Sequence, residues 1–265
     1  MAERIEDIIK KIRCFVLDMD GTIYSDEALY PFTQPFLTRA RETGRRVLFF
    51  TNNSASNKAD YLARMERFGE PVPPEDLHVS TDVTIEFLRR EHPDATIYPV
   101  GTPSMEKALR DAGCHLTKDH ADIVVLGFDT TLTYEKLDHA VRLLEEGAIY
   151  YATQPDIFHL GMHGHKMPDC GAIIALLESV TGQTPRVFGK PAKETLEYIK
   201  RIAGVAENEI AMVGDLMPTD IRTAAGTEAT SILVLTGETH RDHLPDFDYQ
   251  PDLVVETLGD LIPYL

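Results

Sequence analysis

Four short polar clusters, each just beyond an apolar run or just ahead of a helical one, hold the residues of this chain that could do chemistry. The first is Phe15-Val16-Leu17-Asp18-Met19-Asp20-Gly21-Thr22. A strand that ends in two carboxylates spaced by two sends both side chains out on the same side of the chain. Carboxylates that close repel, and one stays protonated unless a cation sits between them. Mg²⁺, a hard cation that takes oxygen ligands, suits that position. Gly21 lets the backbone turn sharply just past the strand, although an Asp-Gly pair is also an ordinary turn.

The second cluster is Phe49-Phe50-Thr51-Asn52-Asn53-Ser54. A helix beginning near 54–58 would turn its free N–H groups toward the strand ends, where an anion is favoured. The Thr51 hydroxyl and the Asn52 amide would then donate to a phosphate, while plain capping by Asn or Ser reads equally well. In the third, Gly189-Lys190-Pro191, Pro191 suits the first turn of a following helix and keeps Lys190 extended. That would aim one ammonium at the same place; a lone Lys before a helix is otherwise solvated surface. The fourth, Met212-Val213-Gly214-Asp215 followed by Asp220-Ile221, again sets acids after an apolar strand. Carboxylates gathered at strand ends from separate segments would build one acidic, metal-competent crevice, where open α/β sheets bind ligands.

The elements that must position these clusters alternate along the chain. Short β-rich runs at 14–17, 46–50, 96–100, 123–127, 149–152, 187–188, 210–213, 231–235 and 253–255 are separated by helical patterns such as 134–146, 172–180 and 192–202. This alternation predicts an α/β fold with largely parallel sheets. A run such as Val47-Leu48-Phe49-Phe50 fits a strand covered on both faces. Two clusters fall before about residue 55 and two after about residue 186, with further α/β units between, so a split core with an inserted domain is the economical arrangement.

Composition narrows the partners. The 265 residues suffice for one large domain or two modest ones. Apolar and charged contents of 43% and 26% are ordinary for a soluble globular chain. No apolar run approaches the ~20 residues a membrane span needs. The N-terminal stretch, with Ile5, Ile8, Ile9 and Ile12 on a helical spacing, lacks the layout of a signal peptide. Cys14, Cys114 and Cys170 are far apart and match no metal pattern, so they read as reduced thiols of a cytoplasmic protein. A net charge of -17 argues against nucleic-acid polymers and anionic membranes as partners. A small phosphate ester remains compatible where a metal ion and a few cations reverse the field locally.

With Asp18-x-Asp20-Gly-Thr, Thr51-Asn52-Asn53, Lys190 and Gly214-Asp215-x4-Asp220 in this order, the chain resembles the haloacid dehalogenase-like (HAD) superfamily. More narrowly it resembles the class IIA, sugar-phosphate and p-nitrophenyl phosphatase-like branch. The resemblance spans essentially the whole chain. It implies a Rossmann-like core at 1–80 and 184–265 and an α/β cap inserted at 81–183. It also implies a phosphatase acting on a small-molecule phosphate monoester with Mg²⁺ as cofactor. Asp18 would be the nucleophile and a metal ligand, and Asp20 the general acid/base with its backbone carbonyl on the metal. Asp215 would be the third protein ligand, Asp220 would support the metal's ligands, and Thr51, Asn52 and Lys190 would hold the phosphoryl group. The segment from Thr153 to Gly171, with Asp156, His159, His163, His165, Lys166 and Asp169, would be the cap's substrate loop. Three histidines around Gly161 and Gly164 fit no regular element and no metal pattern, and Asp169 reads better as a helix cap than as a substrate contact.

Two stretches depart from the branch. Leu216-Met217-Pro218 is apolar for a loop beside a metal, and Glu228-Ala229 stands where Gly is more usual. Caps of this kind can supply a surface for a homodimer. The reading from another class is a non-catalytic phosphate- or metal-binding module, such as a phospho-aspartate receiver. Receivers also carry strand-end acids, a Thr and a Lys, but are much shorter and lack an inserted domain.

Overall fold

The computed structural model describes residues 2–25, 28–161 and 164–265. The strands are β1 (Cys14–Leu17), β2 (Tyr24–Ser25), β3 (Ala28–Leu29), β4 (Arg46–Thr51), β5 (Leu77–Val79), β6 (Thr96–Val100), β7 (His115–Leu116) and β8 (Ile123–Leu126). They continue with β9 (Ile149–Ala152), β10 (Phe158–Leu160), β11 (Lys166–Pro168), β12 (Arg186–Val187), β13 (Ile210–Gly214), β14 (Thr230–Val234) and β15 (Leu253–Val255). The α-helices are α1 (Ala2–Ile9), α2 (Thr33–Glu42), α3 (Lys58–Arg67), α4 (Ser80–Glu91), α5 (Pro103–Asp111), α6 (Tyr134–Glu145), α7 (Cys170–Thr181), α8 (Lys193–Ala203) and α9 (Arg222–Ala224). The expected α/β architecture is present, with two mainly parallel sheets in a Rossmann-like arrangement.

The chain divides into two compact units. The first comprises Met1–Thr51, Leu62–His78 and Lys190–Leu265, the second Asn52–Tyr61 and Val79–Gly189. In the first unit a six-stranded sheet has the order β15-β14-β13-β1-β4-β5. The ladders joining β15, β14, β13, β1 and β4 are parallel. All four residues of β1 and five of the six in β4 are buried, as strands covered on both faces require. Phe15 of β1 meets Phe36 of α2 edge-on at 5.3 Å. Chain order reverses between β1 and β13, so the carboxyl ends of these two strands flank the sheet's switch point.

The second unit holds a five-stranded parallel sheet, β12-β9-β8-β6-β7. Its core packs Val100, Val124, Leu126 and Ala152 of the sheet against Ala140 and Leu143 of α6 and Ile173 and Leu177 of α7. Caps delimit these helices: Thr102 accepts the Met105 N–H ahead of α5, and Thr133 accepts the Lys136 N–H ahead of α6.

Several local readings need correction. The helix expected to begin near 54–58 does begin there, at Lys58, but its first turn is closed by reciprocal bonds between Asn57 and Asp60. Its N-terminal donors are therefore partly engaged, and a turn in which Asn53 accepts the Ala55 N–H follows the second cluster instead. Pro191 lies ahead of the cap residue Ala192 rather than in the first turn of α8. His159 and Lys166 sit on a regular element after all, the antiparallel hairpin β10–β11, where His159 faces Met167 and Lys166 faces Leu160. His163 falls outside the described residues. The apolar Leu216-Met217-Pro218 stretch has a structural reason: Met217 is buried in a cluster with Ile221 and Leu233.

The three cysteines are free thiols, Cys14 and Cys170 buried. Among the described residues no helix is long and apolar enough to cross a membrane.

Candidate active site

Asp18 follows the last residue of β1 and Asp215 follows the last residue of β13, side by side at the switch point of the first unit's sheet. The β1 ladder runs into the site, since the Asp18 N–H donates to the Val213 carbonyl at 2.8 Å. Gly21 takes φ 77°, a left-handed turn that swings the chain away past Asp20. Asp220 comes from the π-helical turn Met217–Ile221. Carboxylate oxygens of Asp18, Asp215 and Asp220 all lie within 4.8 Å of one another.

Lys190 enters this cluster from the segment before α8. Its ammonium is 2.5 Å from Asp18 Oδ1 and 2.7 Å from Asp220 Oδ1, and it donates to the Phe50 carbonyl at 3.0 Å. The residue is only 2% exposed, so the solvated reading of this Lys does not hold. With all three carboxylates ionised, one ammonium would leave two negative charges in a buried site, the deficit a divalent cation neutralises. Burial pushes the Asp18 carboxyl well above the usual range despite Lys190, and Asp220 and Asp215 push it the same way. Asp215 is pushed up to about 7, by burial first and then by Asp220. Burial works against the charge on Lys190, but Asp18 and Asp220 outweigh it and hold the ammonium above the usual lysine range.

The donor set fits a hard cation. It consists of carboxylate oxygens, the type Mg²⁺ prefers. One of them, Asp220 Oδ1, is buried and pairs with the Lys190 ammonium at 2.7 Å. The other oxygens have defined partners. Asp215 Oδ2 accepts the Glu238 N–H at 2.7 Å, and Asp220 Oδ2 accepts the Leu216 N–H at 3.0 Å.

Two contributors escaped the sequence reading. Thr22, fully buried, places its hydroxyl 3.5 Å from Asp18 Oδ2 and 3.4 Å from Asp215 Oδ1, bridging the two acids. The stretch Thr236-Gly237-Glu238-Thr239 wraps Asp215, and a Cβ on Gly237 would sit 1.9 Å from Asp215 Oδ2. Small polar residues just beyond the apolar strand β14 were the available signal, the same one that marked the other clusters.

The remaining candidates are placed as follows. Asp20 is half-buried, outside the three-carboxylate group, and its Oδ2 accepts a hydrogen bond from Tyr24 at 3.0 Å. Thr51 ends β4 and is buried. Asn52 belongs to the second unit, where its amide donates to Asp156 Oδ2 at 3.1 Å and its carbonyl accepts from Ser80. Also in that unit, His159 packs 5.7 Å from the Phe128 ring, His165 is exposed, and Lys166 lies over the Phe158 ring at 4.1 Å. Asp169 caps α7 by accepting the Cys170 N–H, and Gln154 also donates to it at 2.5 Å. Burial pushes its carboxyl up to about 8.

Comparison with known proteins agrees with this geometry. The profile of the haloacid dehalogenase-like hydrolases matches residues 15–115, and a second, HAD-hydrolase-like profile matches 187–261. An acid sugar phosphatase of Staphylococcus epidermidis is 31% identical, with 97% of this chain and 99% of that protein covered. A 5'-nucleotidase of Bacillus subtilis is 28% identical over 97% of this chain and all of its own length. Among solved structures, a 4-nitrophenylphosphatase of Thermotoga maritima superposes with a TM-score of 0.93 at 38% identity, covering 97% of this chain and 98% of that one.

Proposed function

The chain belongs to the haloacid dehalogenase-like hydrolases, as a phosphoric monoester hydrolase, and from that premise we propose that it hydrolyses a small-molecule phosphate monoester through a phosphoryl group carried on Asp18, with Mg²⁺ as cofactor. The observation that carries this reading is the gathering of Asp18, Asp215 and Asp220 at the switch point of a parallel sheet, with a buried lysine paired to Asp18 and Asp220.

In the first half-reaction an Asp18 oxygen forms a bond to phosphorus as the bond from phosphorus to the ester oxygen breaks. Asp20, in its acid form, gives its proton to the departing alkoxide. In the second, Asp20 takes a proton from water as that water attacks phosphorus, releasing inorganic phosphate and regenerating the Asp18 carboxylate. Lys190 supplies positive charge to the transferring group, and Thr51 and Asn52 are assigned to its oxygens. Asp18, Asp215 and the Asp20 backbone carbonyl would hold Mg²⁺, with Asp220 supporting them. When bound, the ion offsets the repulsion between a dianionic ester and the Asp18 carboxylate.

The strongly acidic chain disfavours polyanionic polymers, and the relatives' names range over nitrophenyl, sugar and nucleoside phosphates. A small ester is therefore the substrate class. Membership of a phosphatase family removes the main support for a receiver-like binding module.

The test is inorganic phosphate release from a panel of small esters, with Mg²⁺ and with excess EDTA. Release that Mg²⁺ supports and EDTA abolishes is expected. Full activity in EDTA would remove the metal from the account, and a folded protein inert toward every ester would overturn the reading.

A further inference from the structure

The Asp20 carboxylate is held by a side chain that the reaction as described does not use. Tyr24 Oη donates to Asp20 Oδ2 at 3.0 Å, and Arg64 Nη1 donates to Tyr24 Oη at 3.2 Å. The phenol has little freedom of its own. Tyr24 is 1% exposed, its ring meets Phe68 edge-on at 5.5 Å, and the Arg64 guanidinium lies 5.8 Å from its centroid. Its backbone is tied as well: its carbonyl accepts the Gly21 N–H at 2.9 Å, and β2 pairs with β3. Asp20, Tyr24 and Arg64 all belong to the first compact unit, with Asp18 and Lys190.

We propose that Tyr24, itself oriented by Arg64, is a positioning residue for Asp20, setting the direction in which this carboxyl meets the leaving group. The inference rests on the reading of Asp20 as the acid/base. The outer torsion of an aspartate is broad and nearly two-fold, so a half-buried carboxyl without an anchor samples many orientations. A rigid donor on Oδ2 fixes the plane of the group and leaves Oδ1 as the oxygen presented to the reacting centre. An arginine in direct contact would tie Asp20 into a charge-assisted ion pair. With the guanidinium one step away, a neutral phenol orients the carboxyl instead, and Arg64 polarises and aims that phenol.

General acid help matters most when the departing alkoxide is basic and little when it is a stabilised phenolate. The experiment therefore compares kcat/KM for an alkyl phosphate, glycerol phosphate, with kcat/KM for p-nitrophenyl phosphate. Tyr24→Phe keeps the ring packed on Phe68 and should lower the alkyl value about tenfold, while the aryl value falls by less than about threefold. The thermal midpoint in Mg²⁺ should stay at the parent's. Arg64→Met should give a smaller loss with the same alkyl preference, and no further loss in the Tyr24→Phe background. Asp20→Asn serves as the reference and should show the largest alkyl-selective loss. If Asp20→Asn is alkyl-selective while Tyr24→Phe loses nothing, or loses equally on both esters, the positioning inference is overturned and the Asp20 reading stands. If Asp20→Asn is itself indifferent to the leaving group, the reading of Asp20 falls and takes the inference with it.

Discussion

The two units each present buried charge where the strand order of a parallel sheet reverses, and they treat it in opposite ways. In the second unit the reversal lies between β6 and β8, and the acid beyond β8 is Asp129, its side chain fully buried. Lys136 meets Asp129 Oδ2 at 2.6 Å, and Thr131 supplies its N–H and hydroxyl to Oδ1 at 2.8 and 2.7 Å. That is one acid to one base, with both oxygens served. In the first unit the reversal lies between β1 and β13, and three acids gather around one ammonium, Lys190, which pairs with Asp18 and Asp220. Buried ion pairs persist when they are matched. An unmatched excess of carboxylate has to be supported from outside the chain, and that imbalance is what separates a candidate catalytic crevice from a structural one.

Removing the base from each cluster sharpens the contrast. Lys190→Met leaves three buried carboxylates with no cation and should cost about 3–5 kcal/mol of folding stability without divalent metal, with turnover lost. Lys136→Met leaves a buried Asp129 with only its Thr131 bonds and should cost about 3 kcal/mol whether or not divalent metal is present, with kcat at the parent value. Urea melts and steady-state kinetics on both variants check this. A Lys136→Met cost that depends on Mg²⁺ as strongly as that of Lys190→Met would break the comparison.

A pH effect of intermediate size follows from the same imbalance. In the metal-free fold Asp215 is pushed up to about 7, mainly by burial, whereas an unfolded Asp titrates near 3.9. Between those values the folded state binds the extra proton, so stability is greatest at the acid end and falls as pH rises toward 7. The slope is at most about 1.4 kcal/mol per pH unit for one group. Mg²⁺ must displace that proton, so it should raise the thermal midpoint more at pH 8 than at pH 5.5. A Mg²⁺ shift that is the same at both would contradict the cluster as its site.

The smallest effect lies in the second unit at Asp169. Burial pushes it to about 8, with Asp156 adding to this and the Cys170 N–H and Gln154 opposing it. The parent should lose stability as pH rises from about 4 through 8, by the same sign argument. Asp169→Asn keeps an acceptor for Cys170 and should gain up to about 2.7 kcal/mol on the parent at pH 9 relative to pH 6. Chemical denaturation at the two pH values measures it, and a parent and variant with parallel profiles would show that Asp169 stays ionised.

Much of this was legible in the residues because long apolar runs have a strong period. Runs such as Val47–Phe50 and Ile210–Val213 fit buried strands, and acids just beyond them are then placed where parallel strands end. The pairs Tyr24–Ser25 with Ala28–Leu29 and Phe158–Leu160 with Lys166–Pro168 were not legible, since two or three residues have no period and are made strands by their partners. Nor could the sequence show that Lys190 is buried, because a lysine before a helix is ordinary surface until distant acids are brought to it. The apolar Leu216-Met217-Pro218 looked out of place beside a metal because Asp215 and Asp220 flank it, whereas the contacts of Met217, Ile221 and Leu233, come from the π-helical turn and from a strand beyond it. The turn after Asn53 was not legible because the helix start could be placed only to within 54–58, and Asn57 is the residue that takes it.

The most direct test of the central claim is to quench the enzyme during turnover, reduce it with borohydride and locate the reduced residue by peptide mass spectrometry. An acyl phosphate on Asp18 would appear as homoserine at position 18, and Asp18→Asn would show none. Reduction at any other residue, or none while the enzyme turns over in steady state and Asp18→Asn releases phosphate at the parent rate, would contradict the account.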